Sequence, residues 1–200
     1  MWRVPRKKSA VYAANAFKEE TRRVLDFVEN AEAVPLGDQD LTWVYELALV
    51  KTAVAFERLM LACIVCAVNN DTSTISEQTG INFPKHLTDE VCEYLVTGGG
   101  YFDFKGRDGL IKTFRKFLPT THYLPAAVKL PQFRAPLEQL IALRNFAAHE
   151  SPASKAAVLK VLDLKRISSA GAWVKKQGRL HQLTSELHDL ADEIIKSAPY

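Results

Sequence analysis

The sequence predicts an all-α fold: a single domain over residues 1–200, built as a bundle of about five to seven helices with an irregular insertion near residues 70–134. Three observations predict it. Apolar residues recur three and four apart through long stretches. One stretch, residues 53–68, is apolar nearly all the way around a helix axis. Glycine, proline and Asn/Asp/Ser/Thr clusters separate the stretches. The composition, 48% apolar and 24% charged over 200 residues, suits one globular domain with a real core.

The first helix is expected from about Ser9, a suitable cap, to Ala33, with Val11, Ala14, Phe17, Val24, Leu25 and Val28 as its apolar stripe. The stretch "PLGDQD" breaks the chain. A long second helix follows from about Asp40 to Asn69, and its apolar content marks it as central and buried. In the insertion, a short helix starts at Thr88, with Asp89 and Glu90 in its first turn, and ends at Gly98–Gly100. Another is carried by Leu110, Ile111, Phe114 and Phe117. Four of the nine prolines (Pro119, Pro125, Pro131 and Pro136) then fall close together, and that segment reads as a covering loop. Pro136 is placed to open the helix "PLEQLIALRNFAAHE". Ser151-Pro152 ends it and starts another. A last helix runs from about Val174 to Ser197, with Leu180, Leu183, Leu187, Leu190 and Ile194 on one face.

Several function classes are excluded or left without support. The most apolar stretch is shorter than the ~20 residues a bilayer demands and contains Glu57 and Arg58, so no membrane association is expected. The basic start, "MWRVPRKKSA", is followed by no apolar signal core, and a cytoplasmic location is the simplest expectation. Cys63, Cys66 and Cys92 are an odd set. Cys63 and Cys66 sit inside an apolar run without a second ligand pair, which points to buried thiols rather than zinc or redox chemistry. No metal site and no cofactor motif is found. The net charge of +3 is mild but uneven: residues 31–98 hold three basic and ten acidic side chains, residues 99–135 seven basic and two acidic. Such a division can steer a polyanion to one side of the molecule, or can be scattered surface charge.

The chemistry-bearing stretch is "LRNFAAHESP", residues 143–152. Arg144 is followed directly by Asn145, and four residues stand between Arg144 and His149. An arginine, a polar residue, a few more residues and a histidine late in a helical domain resemble the signature of the HEPN superfamily of helical ribonucleases. The long buried helix before it fits as well. The resemblance covers residues 41–69 and 133–197. A second match, Arg115 and His122, is interrupted by Pro119 and lies in the irregular region, so it is set aside.

The resemblance implies a metal-independent endoribonuclease in which the 2′-hydroxyl of RNA attacks the adjacent phosphorus. His149 is the candidate for moving protons. Arg144 offers a planar fork for phosphate oxygens, and Asn145 an amide donor. Arg144 and His149 lie about 140° apart around a regular helix. One helix therefore aims them poorly at one phosphate, and the resemblance implies a homodimer with a composite cleft. Toxins and antiphage effectors, held in check by an antitoxin or regulatory partner, are the family roles implied.

Glu57 is the single charged member of an otherwise apolar line on the central helix, so it needs a partner. Arg144 is one candidate; Arg22 and Arg23 of the first helix are the others. Lys105, Arg107, Arg115 and Lys116, with Lys112 between them and Tyr101, Phe102 and Phe104 nearby, can bind an RNA strand. Phe102, Phe104, Phe114 and Phe117 also suit anchoring the insertion to the bundle. The alternative is a non-catalytic HEPN-like module that binds RNA, nucleotides or a partner protein. A DNA-binding regulator is the weakest reading, because no helix clusters the surface basic and amide side chains of a recognition helix.

Overall fold

A computed structural model of the protein describes residues 9–199. The basic start of the chain therefore falls, up to residue 8, outside the described residues. Among them are ten α-helices, one 3-10 turn and no strand, which places the chain in the all-α class.

Helix α1 (Ala10–Glu32) is capped by Ser9, whose hydroxyl accepts the Tyr12 N–H. It buries Phe17, Thr21 and Val28. Helix α2 (Asp38–Asn70) is the 33-residue axis of the molecule. From Ala53 to Asn69 most of its residues are buried, on every side of the helix, because α1 and the later helices Asp89–Thr97 and Arg134–His149 pack on it. No helix among the described residues is long and apolar enough to cross a membrane. Cys63, Cys66 and Cys92 lie in the interior and form no disulfide, and burial pushes the Cys63 thiol far up, so it stays protonated and inert.

The segment 70–134 is more regular than its sequence suggests. It holds α3 (Ser73–Thr79), α4 (Asp89–Thr97), α5 (Gly106–Phe117), α6 (Tyr123–Lys129) and a 3-10 turn (Pro131–Phe133). Helices α4 and α5 match the two short helices expected there; short length hides α3, and proline content hides α6. Helix α4 follows the expectation, with Thr88 as its cap and Gly98, at φ 64°, as its stop. The proline-rich part is not a covering loop. Leu124, Pro125, Ala127 and Val128 of α6 are buried, and α6 packs against the last helix. Pro125 and Pro131 sit in first turns, where a missing N–H has no acceptor to lose, and Pro119 lies in the connection between α5 and α6.

The motif helix α7 runs Arg134–His149. Pro136 is its third residue rather than its first, still within the opening turn. Helix α8 (Pro152–Val161) begins with a reciprocal pair: Ser151 Oγ accepts the Ser154 N–H, and Ser154 Oγ accepts the Ser151 N–H. The expected last helix is two: α9 (Ala170–Val174) and α10 (Arg179–Ser197). Gln177 and Gly178, at φ 58° and 65°, turn the chain between them. The total of ten exceeds the expected five to seven for these reasons.

Candidate functional site

The local fold around "LRNFAAHESP" is set by two constraints. Leu137, Leu140, Leu143 and Phe146 turn one face of α7 into the core. The chain must then reverse within two residues, Glu150 and Ser151, before α8 begins. Glu150 closes α7 in the left-handed conformation at φ 44°, an uncommon choice for a non-glycine residue. His149 is thus the last residue of α7, exposed at a sharp corner, and its imidazole makes no hydrogen bond with the described residues.

Arg144 lies one and a half turns earlier and is half-buried. Its Nη1 donates to Asn145 Oδ1 at 2.9 Å, and its Nη2 lies 3.5 Å from Glu57 Oε1 on α2. Of the two partner choices open for Glu57, Arg144 is therefore the one in place; Arg22 and Arg23 instead pair with Glu19 on their own helix. The Glu57 side chain is 14% exposed and that of Arg144 24%. Burial pushes the Glu57 carboxyl up. The Arg144 guanidinium and the Phe104 N–H oppose that shift, and Asp103 adds to it. Two donors of Arg144 are committed to neighbours, and three of its five remain. Asn145 spends its carbonyl oxygen on Arg144, leaving its NH2 group as the available donor.

Arg144, Asn145 and His149 line one cleft of about 550 Å3. Its far wall is the segment Asp103–Lys105, and its floor includes Ser154 and Ala157 of α8. Asp103 and Ser154 were not singled out from the sequence. Asp103 carries no local signal, since only folding lays residues 103–105 over α7. Ser154 is legible as a capping residue but not as a wall of a cleft.

The four basic residues expected to meet RNA divide. Lys105 lines the Arg144 cleft, with Asp103 Oδ2 3.6 Å from its Nζ. Lys105 and Lys116, together with Lys112 and Tyr101, line a second groove of about 320 Å3. That groove shares Asp103 and Lys105 with the cleft, so the two adjoin. Arg115 is exposed on α5 but lines neither. Arg107 is turned inward: its Nε donates to the Val128 carbonyl at 3.0 Å and its Nη2 to the Lys129 carbonyl at 2.5 Å. It fastens the end of α6 and is not a free strand contact. Phe104 and Phe114 are fully buried, and Phe104 stacks edge-on against Phe56 at 5.1 Å, so these aromatics anchor the segment. Tyr101 is almost wholly exposed. In the second Arg–His match, His122 is structural: its Nδ1 accepts the Leu124 N–H and caps α6.

Among the described residues, no group of three or more His, Cys, Asp or Glu side chains is placed to hold a metal ion. The cleft therefore gathers a guanidinium fixed from two sides, an amide donor and an exposed imidazole, with a lysine opposite. That set can bind a phosphate and move a proton beside it. Comparison of the sequence and the fold with protein-family models, curated proteins and solved structures finds no match.

Proposed function

We propose that the protein is a metal-independent endoribonuclease of HEPN type that acts in the cytoplasm as a homodimer. The observation that carries this reading is the convergence of Arg144, Asn145 and His149 on one cleft, with Glu57 behind the guanidinium. In this reading Arg144 and the Asn145 NH2 group hold the scissile phosphate. His149 takes the proton from the 2′-hydroxyl, which attacks the adjacent phosphorus; the 5′-oxygen of the next nucleotide leaves. One strand ends in a cyclic phosphate and the other in a 5′-hydroxyl, and no water is consumed in this step. A protonated group must meet the leaving oxygen. A second copy of His149, brought across a two-fold axis at the exposed α7–α8 corner, supplies it. The strand would enter along Lys116, Lys112 and Lys105, whose groove opens into the cleft. A toxin or defence role under a restraining partner belongs to the same proposal.

Expression of the wild type and His149→Ala tests it. Growth arrest and fragmented RNA are expected with the wild type alone. Cleavage should survive chelation and leave cyclic phosphate ends. Equal tolerance of both proteins at equal expression, with no co-purifying inhibitor, would favour the non-catalytic binding module instead. A strict magnesium requirement would also overturn the mechanism.

A further inference from the structure

A second cationic pocket lies away from the Arg144 cleft and shares no residue with it. It sits where the α8–α9 connection meets the start of α10 and encloses about 420 Å3. Arg166, Lys176 and Arg179 supply the charge; Ile167, Ala172 and Trp173 supply an apolar wall. Among the described residues no acidic side chain lines it, and the carboxylate of Asp38, outside the pocket, is close enough to feel the charge of Lys176.

Two features separate this pocket from ordinary surface charge. The first is the preparation of Arg179. Its guanidinium lies over the Trp173 ring, 4.5 Å from the ring centre. Nη1 donates to the Trp173 carbonyl at 3.1 Å and Nη2 to Gln177 Oε1 at 2.6 Å. The fork is held in place, and three of its five N–H donors remain for a ligand. The second is electrostatic cost. Arg179 is the first residue of α10 and Lys176 lies just ahead of its cap; the first turn contains no acidic residue, and the cap, Gly178, offers no side chain. Cations there oppose the positive end of the helix dipole, the reverse of the usual arrangement. A bound anion offsets both the dipole and the mutual repulsion of the three cations.

We infer that this pocket binds the phosphate of a nucleotide, with Arg166, Lys176 and Arg179 on the phosphate oxygens and the base against the Trp173–Ile167 wall. A bare phosphate ion fills only a small part of 420 Å3 and leaves the apolar wall unused. A nucleotide uses both, since bases stack on aromatic rings and on guanidinium planes. The phosphate can come from a free nucleotide or from a unit of an RNA strand. The inference goes beyond the nuclease reading and does not draw on it, because neither the residues nor the chemistry of the Arg144 cleft enter.

Equilibrium dialysis of the full chain tests it with three probes: adenosine monophosphate, inorganic phosphate, and a short 2′-O-methyl oligoribonucleotide that no 2′-hydroxyl attack can cut. Saturable binding of the mononucleotide or the oligonucleotide is expected, with inorganic phosphate about tenfold weaker or more, and with affinity falling as salt rises. The tighter of the two nucleotide probes identifies the source. Arg166→Glu and Lys176→Glu alter exposed side chains, so the fold should persist by circular dichroism. Each should weaken nucleotide binding about tenfold or more. Absence of saturable binding up to millimolar nucleotide overturns the inference. So does binding that both charge reversals leave unchanged, or inorganic phosphate binding as tightly as the nucleotides.

Discussion

At the scale of single residues, Arg144 carries the most. Its side chain bridges α7 to α2 through Glu57 and is steadied by its sequence neighbour Asn145. A buried carboxylate beside a guanidinium contributes little net stability, because both groups lose hydration. Its effect is on orientation: the fork cannot swing away from the cleft. Arg144→Lys keeps the charge but replaces a planar fork by a compact ammonium, which loses the two-pronged match to phosphate oxygens. Under the proposed nuclease function, RNA cleavage by Arg144→Lys should fall roughly 100-fold, the scale seen when one transition-state donor is lost. Thermal unfolding should change little. Cleavage rates within a few-fold of wild type would remove Arg144 from the phosphate.

At the scale of elements, α9 lies directly on α2. A Cβ built on Gly171 would land on the Thr42 carbonyl oxygen and crowd the Glu46 side chain. The glycine lets the short helix lie directly on the backbone of α2, where its N–H donates to Glu46 Oε1 at 3.2 Å. Lys175 closes the same joint by reaching the Asp38 carbonyl, the Asp38 carboxylate and the Thr42 hydroxyl. That lysine holds the Asp38 carboxyl below the usual carboxylate range. Gly171→Ala should destabilise the protein by about 1–3 kcal/mol, as overpacking does, read as a lower denaturant midpoint. An unchanged midpoint would show that α9 can slide on α2. Neither contact has a signature in the sequence, since Gly171 and Thr42 are far apart along the chain.

At the scale of the whole molecule, two histidines make stability depend on pH. Burial lowers the pKa of His122 and, helped by Lys18, that of His188. His188 Nε2 lies 2.7 Å from the Thr21 hydroxyl in the seam between α1 and α10. His122 Nδ1 must be unprotonated to accept the Leu124 N–H. With folded values below 6.5, the unfolded chain takes up protons first as the pH falls. Stability is then full above about pH 6.5 and declines as the pH drops through the lowered folded values. Glu57, shifted upward by burial, acts in the opposite sense. The urea midpoint should fall between pH 7.5 and pH 5.5. It should fall less in the double variant His122→Asn/His188→Gln, where asparagine preserves a cap. Equal losses in both proteins would assign the effect to other groups.

The class of fold, the two long helices α1 and α2, the motif helix and several caps were legible because each is written in local periodicity or in a neighbouring side chain. Within residues 70–134, α4 and α5 were legible from a cap and an apolar face, whereas α3 and α6 were not, because about two turns carry too few repeats to show a period, and in α6 a proline mimics a break. The pairing of Glu57 was legible only as a need: a lone charge on an apolar helix face requires a partner. Which arginine meets it is decided by how α7 lies on α2. The same holds for the cleft itself. Arg144, Asn145 and His149 are fixed by the sequence as neighbours on one helix end, whereas Asp103, Lys105 and Ser154 join them only through tertiary packing. Local chemistry follows from the order of residues; the walls of a site follow from contacts between distant segments, which no short-range pattern encodes.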